Sequence, residues 1–131
     1  MSLLLAMCSF TTLLADSGYV FRGKIGNYPI VLTIWATAVE ASGEYYYVSQ
    51  GKNKKLQLTG AFISELDSPQ LVWRFVETVN GKYNGVYYVV WNYFIGKSSD
   101  IVGAYINSKG DEYEVNLKCT SHESLRESDG Y

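Results

Sequence analysis

The sequence predicts an all-β domain, an eight-stranded antiparallel meander curled into a closed or nearly closed barrel. Three observations carry this reading. From Gly18 to Cys119 the chain is a succession of short runs rich in β-branched and aromatic residues. Within the runs side chains alternate with a period of two, as Leu56, Leu58, Gly60 and Phe62 do against Lys55, Gln57, Thr59 and Ala61. Between the runs lie brief Gly, Asn, Ser and Asp clusters, and no body segment has helical periodicity long enough to cross between parallel strands.

The strands are expected at residues 18–25, 28–36, 43–49, 54–64, 70–79, 84–94, 100–107 and 111–119. The second is apolar throughout, and the stretch from Ala36 to Ala41 after it has room for one helical turn. The third is a Gly-aromatic run closed by the turn composition Gln50-Gly51-Lys52-Asn53. The fourth carries the alternation quoted above, so one face is buried and one is wet. In the fifth, Leu71, Trp73 and Phe75 share a parity with Glu77. Asn80-Gly81 and Asn84-Gly85 supply residues that tolerate positive φ around the start of the sixth. Asn107-Ser108-Lys109-Gly110 separates the last two. In the eighth, Tyr113, Val115, Leu117 and Cys119 alternate with Glu112, Glu114, Asn116 and Lys118.

There is an internal echo. Ser42-Gly43-Glu44-Tyr45-Tyr46-Tyr47 followed by Leu58-Thr59-Gly60-Ala61-Phe62 is matched by Asn84-Gly85-Val86-Tyr87-Tyr88 followed by Ile101-Val102-Gly103-Ala104-Tyr105. Two three-strand units flanked by the first and last strands would build the meander, although convergent strand chemistry gives the same look. Open edges invite pairing with other chains, and closure removes them, which favours a barrel over the alternative of a two-sheet sandwich. Gly23, Gly60 and Gly103, inside apolar strands, fit the bends or bulges that strong curvature needs. In strand number and meander order the arrangement resembles lipocalin-like and avidin-like barrels. The likeness is architectural only, and it implies no more than an interior that is either packed or holds one small ligand.

A chain of 131 residues with 47% apolar, 18% charged and 15% aromatic residues has enough core for one domain, expected over residues 16–120. The formal charge is -2, and the one basic cluster, Lys52, Lys54 and Lys55, sits in a turn. Without a basic stripe, nucleic acid is not an expected partner. Residues 1–15 are apolar and uncharged up to Asp16, like the hydrophobic part of a secretory signal peptide cleaved after Ala15, although no Lys or Arg precedes the run. The alternative is a segment that docks on the fold. Leu5-Ala6-Met7-Cys8 faintly resembles a lipobox, so membrane attachment is expected only through a lipid anchor. The cysteines are Cys8 and Cys119; loss of the leader leaves Cys119 alone, and retention permits a bridge between them. Residues 121–131 read as a polar tail.

Catalytic chemistry finds little material. The single histidine, His122, lies in that polar tail with no fixed partner, and no phosphate loop, dinucleotide fingerprint or zinc spacing occurs, so no cofactor or metal is expected. Glu77 has inward parity, but a strand-end carboxylate is expected to reach solvent, because charges are rarely buried without partners. Taking Ile30, Leu32, Ile34, Leu71, Trp73, Phe75, Val86, Tyr88 and Val90 as the core leaves Trp35, Tyr46, Arg74, Tyr87 and Trp91 on the opposite face. These types are enriched in binding hot spots, which makes that face the candidate binding surface. The expected function is thus a periplasmic or secreted, non-catalytic module that binds a small apolar ligand or a protein partner. The alternatives are a carboxylate-dependent glycan hydrolase using Glu77, and a self-associating component of the cell envelope.

Overall fold

A computed structural model describes residues 17–65, 67–94 and 97–124. Its eight strands are β1 (Ser17–Ile25), β2 (Tyr28–Ala36), β3 (Glu40–Tyr47), β4 (Leu56–Phe62), β5 (Val72–Val79), β6 (Lys82–Phe94), β7 (Lys97–Asn107) and β8 (Glu112–Ser124). Each pairs antiparallel with its sequence neighbour, and β8 pairs back onto β1, so the meander closes into a barrel. The sandwich alternative is thereby set aside. The leader and its cysteine lie outside the described residues.

The turns form where small and amide residues permit left-handed backbone. Asn80 and Gly81, with φ of 52° and 79°, make the two-residue loop between Val79 and Lys82. Gly51 and Gly110 take the same role in the longer loops. The stretch 37–39 forms no helical turn; it closes a hairpin in which the Thr37 amide donates to the Glu40 carbonyl at 2.8 Å. Asn84-Gly85 is not a turn either, because it lies inside β6.

At the C-terminal end, residues 121–124 of the expected tail continue β8, with Tyr19 opposite His122 and Ser17 opposite Ser124. Barrel closure explains the extension: backbone pairing along β1 needs a partner strand, and it asks nothing of side-chain polarity. Register irregularities occur at Val20/Phe21, Glu77/Thr78 and Trp91/Tyr93. None falls at Gly23, Gly60 or Gly103, so those glycines are not the bulges. At Gly60 a Cβ would overlap the Phe75 ring, so its role is to admit a large side chain. The internal echo is not carried into register either: Gly43 opposes Leu58, whereas Gly85 opposes Asn107.

In places small residues oppose large ones across the interior, as Gly60 opposes Phe75 and Gly43 opposes Ile34. At one end Trp73, Trp91, Tyr93 and Tyr19 form a plug with ring centroids 5.0–6.3 Å apart. The middle is mostly aliphatic, with Tyr45, Phe75 and Tyr87 among its lining, and leaves a void of only about 10 Å³. The other end is polar and open.

The inward face of β6 differs from expectation. Tyr87, Val89, Trp91 and Tyr93 are buried in the core, while Val86, Tyr88 and Val90 face outward. In a strand apolar on both faces alternation carries no direction. Pairing with β5, where Phe75 opposes Tyr87 and Glu77 opposes Gly85, decides it.

Candidate functional site

Glu77 is directed inward by the parity that buries Trp73 and Phe75, and it is 1% exposed. Its expected escape to solvent does not occur, because four donors surround it. Tyr45 donates to Oε1, with Tyr87 at 3.5 Å from the same oxygen; Asn84 Nδ2 and Tyr105, the latter at 2.9 Å, donate to Oε2. A carboxylate so coordinated exchanges its water shell for fixed donors, which is what makes burial tolerable.

One bulge and one glycine in β6 bring these donors together. Glu77 opposes Gly85 and Thr78 opposes Tyr83, so Asn84 is the unopposed residue of a bulge, re-aimed at the carboxylate. Next to it, a Cβ on Gly85 would stand 2.5 Å from the Tyr105 hydroxyl. Only glycine leaves the path by which Tyr105 reaches Glu77. Burial, with the negative charge of Glu77 adding to it, pushes the phenols of Tyr45, Tyr87 and Tyr105 well above their ordinary 10. They therefore remain protonated donors throughout the physiological range.

Above this network the barrel opens into a cup of about 530 Å³. The β1–β2 turn contributes Ile25 and Tyr28, the end of β3 and its loop Tyr47, Ser49 and Gln50, and β6 contributes Asn84. The β7–β8 hairpin supplies Tyr105, Asn107, Ser108, Lys109, Asp111 and Tyr113. That hairpin is held in shape by Asn107, whose Oδ1 accepts from the Lys109 and Asp111 amides at 3.0 and 2.9 Å. Tyrosine rings line the wall in pairs: Tyr28 meets Tyr47 edge-on at 6.2 Å, and Tyr113 stacks beside Tyr105 at 6.3 Å. Asn84 and Tyr105 belong both to the cup lining and to the carboxylate network, so the floor of the cup is anchored from beneath.

The five residues of the expected binding face do not converge. Trp35 and Tyr46 are half-buried on the outer wall of β2 and β3, and Arg74 is exposed on the outer wall of β5. Tyr87 and Trp91 are interior. Of the five, only Tyr87 enters the Glu77 network. The cup residues escaped sequence reading because they come from four separate segments. The legible clues were Glu77's parity and the Asn84-Gly85 pair within a strand. Among the described residues no group of three His, Cys, Asp or Glu side chains is placed to hold a metal ion. No family model, curated protein or solved structure matches this chain.

Proposed function

We propose that this protein is an exported, non-catalytic binding module whose cup receives a small, neutral, hydroxyl-rich ligand such as a saccharide or polyol. The observation that carries the proposal is the cup itself: a cavity of about 530 Å³ whose polar floor is fixed to a buried carboxylate. That volume lies within the usual range for small-molecule sites, and convergent polar groups on a rigid base are their usual equipment. The lining supports the ligand class. Ser49, Gln50, Asn84, Asn107 and Ser108 offer donors and acceptors together, and tyrosine rings offer apolar surface for the C–H faces of a sugar ring. Lys109 and Asp111 contribute one charge of each sign, so nothing in the lining recruits a strong ion. An apolar ligand on the barrel axis would find about 10 Å³.

Export rests on the apolar segment 1–15. The hydrolase alternative is less well supported, because acid or nucleophilic chemistry needs a carboxylate oxygen that substrate can reach. Both Glu77 oxygens are engaged by protein donors.

Amide chemical-shift titration of labelled protein with a panel of mono- and disaccharides tests the proposal. Shifts confined to the cup loops are expected. Tyr28→Ala should weaken binding roughly threefold to tenfold, the loss of one ring face worth about 0.5–1.5 kcal/mol. Tyr28 is 59% exposed, so the fold should survive the change. Absence of shifts with every sugar tried, or a Tyr28→Ala variant that binds as tightly as the parent, would overturn the assignment.

A further inference from the structure

The outer wall of β5, β6 and β7 carries a broad apolar strip. Its outward residues pair across the three strands in rows: Val72, Val90 and Val102; then Arg74, Tyr88 and Ala104; then Val76, Val86 and Ile106. Tyr88 and Val102 are 44% and 45% exposed, and Phe94 and Tyr83 continue the strip toward its ends. Elsewhere Arg22, Lys24, Ser42, Gln57, Asn116 and Lys118 are exposed at outward positions, and the apolar outward residues of β2 and β3, Val31, Trp35 and Tyr46, are buried or half-buried. A strand that is apolar on both faces, as β6 is, ordinarily has both faces covered. Among the described residues nothing covers this outer face.

The charges at the two flanks of this wall indicate what covers it. Arg74 stands on the β5 side, and Glu114 and Glu112 stand on β8 opposite Ala104 and Ile106. None of the three has an ion-pair partner among the described residues. A two-fold axis running along β6 would turn the face over, setting Arg74 of one copy toward Glu114 of the other, and the reverse pair with it. The face is therefore complementary to itself, the requirement of an isologous contact. A membrane-spanning barrel would instead call for an apolar band around the whole circumference.

We infer that the β5–β7 wall is the contact face of a homodimer, with Tyr88 at its centre and two Arg74–Glu114 pairs at its margins. Three strands about 4.8 Å apart and about 35 Å of β6 give a footprint of roughly 500 Å² per copy. A standard interface contributes about 800 Å² per partner, so the dimer is reversible and depends on concentration.

Sedimentation velocity of the full chain across a wide concentration series reads this directly. The parent should shift from monomer to dimer, and Tyr88→Glu, confirmed as folded by circular dichroism, should stay monomeric. Arg74→Glu and Glu114→Arg should each weaken dimerisation several-fold, and the double charge swap should restore it. A parent protein that remains monomeric at all concentrations would overturn the inference. So would a Tyr88→Glu dimer of parental affinity, or a charge swap no better than its single variants.

Discussion

Glu77 is accommodated inside an apolar barrel because Tyr45, Tyr87, Tyr105 and Asn84 all aim donors at it. Removing the acceptor strands all four donors, and each buried donor left without a partner costs about 1–3 kcal/mol before relaxation. Glu77→Leu should therefore destabilise the protein by about 3–5 kcal/mol, read as a lower midpoint in urea unfolding. Glu77→Gln keeps the shape and one acceptor oxygen, and the phenol hydroxyls can rotate to accept from its amide, so a loss of about 1–2 kcal/mol is expected. Equal midpoints for Glu77→Leu and the parent would show that the network contributes nothing to stability. The inward parity of Glu77 was legible in the sequence, whereas its partners were not. They lie 7–32 residues away in the chain, on β3, β6 and β7, and converge on it only once strand register and barrel closure are set.

At the scale of strands, alternation located all eight elements but misdirected one. β4 and β8 carry polar residues on one side, and their buried faces follow from the sequence directly. β6 has apolar residues on both sides, so its facing was set by the partner strand β5. The glycines make a similar point. Gly60 sits in a regular part of β4, and the Phe75 ring occupies the space its side chain would need. Gly60→Ala should cost about 1–3 kcal/mol through overpacking, while Thr59→Ala on the exposed outer face should change stability by less than about 0.5 kcal/mol. Thermal melts of the two variants side by side check this. A Gly60→Ala protein as stable as the parent would mean that the ring moves aside without cost.

For the whole molecule, closure couples the network to cooperative unfolding. The phenols of Tyr45, Tyr87 and Tyr105 are pushed up by burial and by Glu77 in the folded state, and return to their ordinary 10 on unfolding. Their contribution is fully present below pH 10. It falls as pH rises above 10, because the unfolded chain then releases protons that the folded chain retains. Each phenol adds a slope of about 1.4 kcal/mol per pH unit in that range. Alkaline titration should thus show late tyrosinate absorbance appearing together with loss of the far-ultraviolet sheet signal. Ionisation of these three tyrosines near pH 10 in the intact barrel would contradict their burial.

The sequence by itself determined the all-β class, the number and order of the strands, and the hairpin at Asn80-Gly81. These depend on local matters: side-chain periodicity, backbone freedom at turns, and connections too short for a crossover. Tertiary structure alone decided the face of β6, the bulge that aims Asn84, the extension of β8 along β1, and the cup at one mouth. Each of these is a relation between strands distant in the chain, fixed by register and closure, and no run of neighbouring residues encodes it.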